Sequence, residues 1–77
     1  MPVKVKYHGI LKDIAGRGTE NFEHVNTVAL LKDKVYARYR QMREFVFVVA
    51  VNGIIDGDEA KITEEDCIEF IPPMPGG

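Results

Sequence analysis

Thr-Val-Ala-Leu-Leu-Lys-Asp-Lys-Val-Tyr-Ala-Arg-Tyr-Arg-Gln-Met, residues 27–42, carries the main helical pattern of this chain. Val28, Leu31, Val35, Tyr39 and Met42 recur at the three- and four-residue spacing that lines one helix face, while Lys32, Asp33, Arg38 and Arg40 fall on the others. Asn26 or Thr27 can cap its start, because a short polar side chain there accepts a hydrogen bond from an unpaired amide of the first turn. The spacing predicts one main helix about 25 Å long at 1.5 Å per residue. Arg40 and Arg43 near its end suit the negative pole of its dipole.

Outward from this helix, most of the chain reads as strand. Val3, Val5 and Tyr7 alternate with Lys4, Lys6 and His8, the period-two signature of a strand with one buried face. Ile10 to Ala15 suits a short helical turn packing Leu11 and Ile14, closed by Gly16 and Gly18. Glu20 to Val25 alternates again, with Phe22 as its core contact, and pairs with the first strand like a hairpin. Beyond the helix, Phe45 to Val51 is apolar on both faces and rich in β-branched residues, as expected of a strand covered on both sides. Asn52-Gly53 signals a turn, and Ile54-Ile55 a short return strand before Asp56-Gly57-Asp58. Cys67 to Ile71 forms the last strand, Ile68 and Phe70 on one face and Cys67, Glu69 and Ile71 on the other. Pro72 ends it by withholding a ladder donor.

Strand, strand, helix, strand, short strand, strand, with one main helix to cover one face of one mixed sheet, is the α+β arrangement of the β-grasp, or ubiquitin-like, fold. The first and last strands are expected side by side and parallel, since the helix supplies the crossover. If the helix covers the face of Phe45, Phe47, Val49 and Val51, then Val46, Val48 and Ala50 point to the side with no second helix. Contiguous exposed apolar area of that kind marks a partner surface.

Composition confines the chain to one small domain. Seventy-seven residues, 45% hydrophobic, suffice for a single core, though at this length only about 60% of the unfolded chain's surface is buried. The net charge is -2 and the basic residues are scattered, so neither a nucleic-acid footprint nor a membrane patch is evident. Cys67 has no partner for an internal disulfide, and Met1-Pro2-Val3-Lys4 lacks the apolar run of a signal peptide. A reducing cytoplasm is the expected location. No apolar run approaches the roughly 20 residues that span a bilayer.

The sequence ends Pro72-Pro73-Met74-Pro75-Gly76-Gly77, which divides it into a domain of residues 1–71 and a tail of residues 72–77. Gly76 and Gly77 have no side chains to clash in a narrow channel. Six residues at roughly 3.3 Å each reach about 20 Å, enough to carry Gly77 into another protein's active site. The plain alternative is a frayed end.

Thr63-Glu64-Glu65-Asp66-Cys67-Ile68-Glu69-Phe70-Ile71-Pro72-Pro73, followed by Met74-Pro75-Gly76-Gly77, resembles the ending of the MoaD/ThiS sulfur carriers, above all the MoaD branch, the small subunit of molybdopterin synthase. Its usual form is an acidic turn, an apolar strand, Pro-Pro, one or two variable residues and Gly-Gly. Leu11 to Gly16, Thr27-Val28 and Ala50-Val51-Asn52 match as well, so the resemblance covers nearly the whole chain. It implies that an ATP-dependent adenylating enzyme activates the terminal carboxylate and that sulfur transfer makes a thiocarboxylate. The tail then enters the molybdopterin synthase large subunit, where its sulfur goes to a pterin precursor. On that resemblance Gly77 bears the sulfur, Gly76 allows entry, and Pro72 and Pro73 direct the tail. The chain itself would hold no cofactor and have no catalytic site of its own. Two features depart from the family pattern: Pro75 before the glycines removes an amide donor and a flexible φ, and Glu64-Glu65-Asp66 lacks the glycine often found in the acidic turn.

Other residue patterns point less far. Asp56, Asp58 and Glu59 suggest calcium, but an EF-hand loop needs twelve residues with ligands at fixed positions, and Ala60 and Ile62 interrupt it. His8 and His24 lie on different expected strands without ligand spacing, so no metal site is expected. Cys67 has no basic sequence neighbour to activate its thiol. Beside the sulfur-carrier reading stand two others: a protein modifier, in which activated Gly77 forms an isopeptide bond to a lysine, and a β-grasp interaction module whose tail is idle.

Overall fold

The structure is a computed structural model and describes residues 2–73. Its elements run β1 (Val3–Tyr7), α1 (Ile10–Ala15), β2 (Thr19–Phe22), α2 (Val28–Arg38), a 3₁₀ segment over Arg40–Glu44, β3 (Val48–Val51) and β4 (Ile68–Ile71). The four strands form one mixed sheet in the order β2-β1-β4-β3. β1 pairs antiparallel with β2 and parallel with β4, and β4 pairs antiparallel with β3. This is the expected β-grasp, with the first and last strands adjacent and parallel at the centre.

Alternation along the strands decides what α2 covers. Val3, Val5 and Tyr7 of β1 and Ile68 and Phe70 of β4 are buried with Phe22 and Val49, and α2 contributes Val28, Leu31 and Val35. The Phe47 and Phe70 rings stack at 4.9 Å, and Tyr7 meets Phe70 edge-on at 5.9 Å. Lys4 and Lys6 are exposed on the opposite face. Thr27 is the cap of α2, its Oγ1 accepting the Leu30 N–H at 3.2 Å. The start of α2 is also held by residues 58–60, since Val28 and Ala29 donate their N–H groups to the Ala60 and Asp58 carbonyls.

The main helix is shorter than expected. It ends at Arg38, and Tyr39, at φ −130° and ψ 81°, leaves helical geometry before the 3₁₀ segment begins. Met42 still reaches the core, fully buried, because the tighter turn brings it back to the apolar side. Arg40 and Arg43 therefore belong to the 3₁₀ segment and do not cap the pole of α2.

β3 is also shorter than the expected Phe45 to Val51. Its register pairs Val48 with Ile71, so any continuation would bring residues 46–47 opposite Pro72 and Pro73. Prolines have no amide to donate, and the ladder stops there. At the other end Cys67 lies outside β4, its backbone taken up by Asn52. Asn52 and Gly53 both have positive φ, 52° and 82°, and close the tight turn between Val51 and Ile54. The return strand at Ile54-Ile55 amounts to one bridge between Val51 and Ile54. β2 ends at Phe22, short of the expected Val25, and His24 turns the chain with φ 59°.

Candidate functional site

The central position of β4 places the tail root. Because β4 lies between β1 and β3, the chain leaves the middle of the sheet at Pro72, half-buried, and Pro73, exposed. Met74, Pro75, Gly76 and Gly77 lie outside the described residues.

Beside this exit runs a groove of about 670 Å³. Ile10 at the start of α1, Phe45 and Val46 in the segment before β3, and Ile71, Pro72 and Pro73 at the end of β4 give it a mostly apolar lining. Val46 is 79% exposed and Ile10 42%. The polar groups are Glu44, His8 and Glu69. His8 Nε2 and Glu69 Oε2 lie 2.7 Å apart, joining the end of β1 to β4 across the parallel pairing. Sequence separation hid this pair, since its members are 61 positions apart. The parallel register is the only signal that could have joined them.

Of the three residues expected on the partner surface, Val46 and Val48 are exposed on the face without α2, and Val48 stands opposite Ile71. Ala50 differs. It is directed to the same face by alternation with Val49 and stands opposite Glu69, but is only 4% exposed. A methyl group in a row with longer side chains offers little contact area, so Ala50 drops out of the candidate surface. Ile71, Ile10 and the two prolines extend that surface instead. From β4 outward across β1 and β2 the same face turns polar, through Lys6 and Thr19 in register with Glu69.

A second cluster lies under α2 and was missed in the sequence. Glu20 shares the inward face of β2 with Phe22 and is only 6% exposed. Its carboxylate accepts hydrogen bonds from the Tyr7 hydroxyl at 2.9 Å, the Tyr39 hydroxyl at 2.8 Å and the Arg38 guanidinium. Burial pushes the Glu20 carboxyl up, but the bonds from Arg38, Tyr39 and Tyr7 outweigh it and hold the group below the usual carboxylate range. Burial first, and then the bond to Glu20, pushes the Tyr7 hydroxyl well above the usual phenol range. The cluster ties the ends of β1, β2 and α2 together, with every buried side-chain polar atom among the described residues partnered. The period-two match of Glu20 with Phe22 was the available signal.

The remaining candidates scatter. Cys67 is exposed. Asp58 pairs with Lys32 at 3.0 Å on the outside of α2. Among the described residues, no three His, Cys, Asp or Glu side chains converge as a metal site requires, and no helix is long and apolar enough to cross a membrane.

A family model described as the ThiS family matches residues 5–77 of this chain. Among solved structures the chain is similar to the putative molybdopterin converting factor, subunit 1, from Pyrococcus furiosus. That match has 24% identity and a TM-score of 0.86, covering 96% of this chain and 99% of that one. It is similar to the small archaeal modifier protein 1 from Methanosarcina acetivorans at 21% identity and TM-score 0.83, covering 99% and 96%. A third similar structure is the protein–protein complex of subunits 1 and 2 of the molybdopterin-converting factor from Helicobacter pylori 26695. There the identity is 22% and the TM-score 0.71, with both chains covered fully. At these identities the likeness establishes the shared β-grasp fold.

Proposed function

This chain belongs to the ThiS family of β-grasp sulfur carriers, and on that premise we propose that it donates sulfur as the small subunit of a molybdopterin synthase. The terminal carboxylate of Gly77 is the reacting group. A carboxylate is a poor acyl donor, so the step begins when an adenylating enzyme transfers AMP from ATP to it and releases pyrophosphate. A hydrosulfide equivalent then attacks the acyl carbon, AMP departs with the C–O bond, and a thiocarboxylate remains. Its sulfur attacks a carbon of the pterin precursor in the large subunit, an oxygen substituent of that carbon leaves, and water then cleaves the resulting thioester, leaving the sulfur on the pterin and restoring the Gly77 carboxylate.

The observation that carries this reading is the exit of β4. The chain leaves the centre of the sheet through Pro72 and Pro73 beside a mostly apolar groove, on the face that α2 leaves open. Such an exit lets Gly76 and Gly77 enter a partner's channel while Val46, Val48, Ile71 and the prolines dock against its rim. The domain then comprises residues 1–71 and the tail residues 72–77, with Pro72 and Pro73 stiffening the root, because their rings hold φ near −65°. Likeness to the first subunit of two molybdopterin-converting factors supports this assignment.

The likeness to small archaeal modifier protein 1 favours a second reading, in which the adenylated Gly77 is passed to a lysine amine. One experiment separates the two. Incubated with an adenylating enzyme, ATP and a sulfide source, the chain should gain the mass of one oxygen-for-sulfur exchange, located on Gly77. It should then support dithiolene formation with the synthase large subunit. Lysine conjugates without a thiocarboxylate would replace the first reading with the second. No modification at Gly77 would overturn both.

A further inference from the structure

We infer that Gly9 is a positioning residue for the Gly77 carboxylate, a role that rests on the carrier reading above. Gly9 joins β1 to α1 with φ 56° and ψ −133°, a conformation open to glycine and strained for any L side chain. A Cβ at Gly9 would come 3.0 Å from Pro72 Cγ and 3.9 Å from Pro72 Cδ. The bare Cα of Gly9 is therefore the seat on which the first proline of the exit rests.

Gly9 is fixed on one side of this contact, and β4 is fixed as far as Phe70 on the other. The Gly9 carbonyl accepts the N–H groups of Lys12 and Asp13, at 3.1 and 3.4 Å, and so starts α1. His8, one residue before, donates its N–H to the Phe70 carbonyl at 3.2 Å, and its ring meets Glu69 at 2.7 Å, pinning β4 up to the residues before the exit. A methyl group at Gly9 would have to be accommodated after Phe70, by displacing the Pro72 ring. With φ fixed in both prolines, a shift of the Pro72 ring carries the main chain at the exit with it. The turn that opens α1 thereby sets the direction of the exit at Pro72.

The other glycines with positive φ supply controls. At Gly16, φ +72°, and Gly57, φ +94°, no atom stands within 4 Å of where a methyl group would lie, so alanine there adds backbone strain without touching the exit.

The test compares wild type with Gly9→Ala, Pro72→Ala, the double variant and Gly16→Ala. Each is checked for folding by circular dichroism and assayed for adenylation and thiocarboxylation by intact mass. In the wild type, NMR should show a nuclear Overhauser effect between the Gly9 α-protons and the Pro72 ring, and the Pro73 resonances, one residue beyond the contact, should shift in Gly9→Ala but not in Gly16→Ala. Misplacing a reacting group by about 1 Å can cost about 10²-fold. Gly9→Ala should accordingly lower kcat by about tenfold or more, a larger factor than any rise in KM for the carrier, because Val46, Val48 and Ile71 of the docking surface are untouched. Pro72→Ala should lower kcat as well, with a rise in KM because its ring belongs to the docking surface, and the two effects on kcat should combine to less than their product. Gly16→Ala should convert at the wild-type kcat.

Wild-type kcat in Gly9→Ala overturns the role, as do Pro73 resonances left at their wild-type positions in that variant. If Gly9→Ala does not fold, Pro72→Ala decides, since it empties the seat without straining the turn; wild-type kcat there overturns the role. A wild-type chain that is never modified overturns the carrier reading and the role together, whereas a modified wild type with an indifferent Gly9 overturns the role alone.

Discussion

Asn52 and Cys67 grip each other through two hydrogen bonds. The Asn52 side-chain oxygen accepts the Cys67 N–H at 2.8 Å, and the Asn52 N–H donates to the Cys67 carbonyl at 2.8 Å. The Asn52 side-chain amide also donates to Asp66 at 2.8 Å. One residue thus closes the turn after β3, starts β4 and fastens the acidic turn. Within that turn the Asp66 carboxylate accepts the Thr63 N–H at 2.7 Å.

Asn52→Ala should destabilise the domain by about 1–2 kcal/mol, because a backbone donor loses its partner and a Cβ-bearing residue without a local hydrogen bond must hold positive φ. Asn52→Gly relieves the second cost and keeps the first, so it should fall between alanine and wild type. Urea unfolding measures both, and a midpoint unchanged in alanine removes the grip from the account of stability.

Glu20 makes the fold acid-sensitive. Its carboxyl is held down in the folded state, so the unfolded chain takes up the proton more readily. The stability it contributes is complete above the ordinary glutamate value of about 4.3, and is lost as the pH falls through the lower folded value. Glu20→Gln should cost about 1–3 kcal/mol at neutral pH, since Arg38 and the two tyrosines lose a charged acceptor. The same change should flatten the decline of Tm as the pH falls below about 4.3. A parallel decline in both proteins would assign acid sensitivity to other carboxylates.

Val48→Asp tests the open face. Val48 is 40% exposed, so folding should lose only about 1 kcal/mol, the span of strand propensities. Docking to the large subunit should weaken by about tenfold or more, at least about 1.4 kcal/mol, because the new carboxylate must be desolvated against an apolar partner. Calorimetric titration beside thermal unfolding separates the effects. Affinity equal to wild type would move the interface off this face.

Alkylation of the exposed Cys67 should leave thiocarboxylation of Gly77 intact, while deletion of Gly77 should abolish it without lowering Tm. Intact-mass measurement before and after iodoacetamide checks the first. Sulfur that follows Cys67 would mean a persulfide carrier.

The elements were legible because local physics sets them. Period-two alternation at Val3, Val5 and Tyr7, helical spacing from Val28 to Val35 and the Asn52-Gly53 turn each depend on residues a few positions apart. Their order around a single main helix leaves few topologies. The errors came where a partner far along the chain set the limit. β3 begins only at Val48 because its neighbour strand runs into Pro72 and Pro73, and α2 gives way at Tyr39, whose hydroxyl reaches Glu20 on β2.

The candidate site divides along the same line. Sequence alone determined the Pro72-Pro73 and Gly76-Gly77 pairs and the apolar segment bearing Val46 and Val48, since these are matters of covalent order and side-chain type. Only the tertiary structure decided that Ala50 is sheltered, that His8 meets Glu69, that Glu20 is enclosed by two tyrosines and an arginine, and that Gly9 seats Pro72. Periodicity treats these residues as independent: His8 meets Glu69 and Gly9 meets Pro72 because β4 lies parallel beside β1, whereas Glu20 is enclosed because α2 packs over the β1–β2 pair.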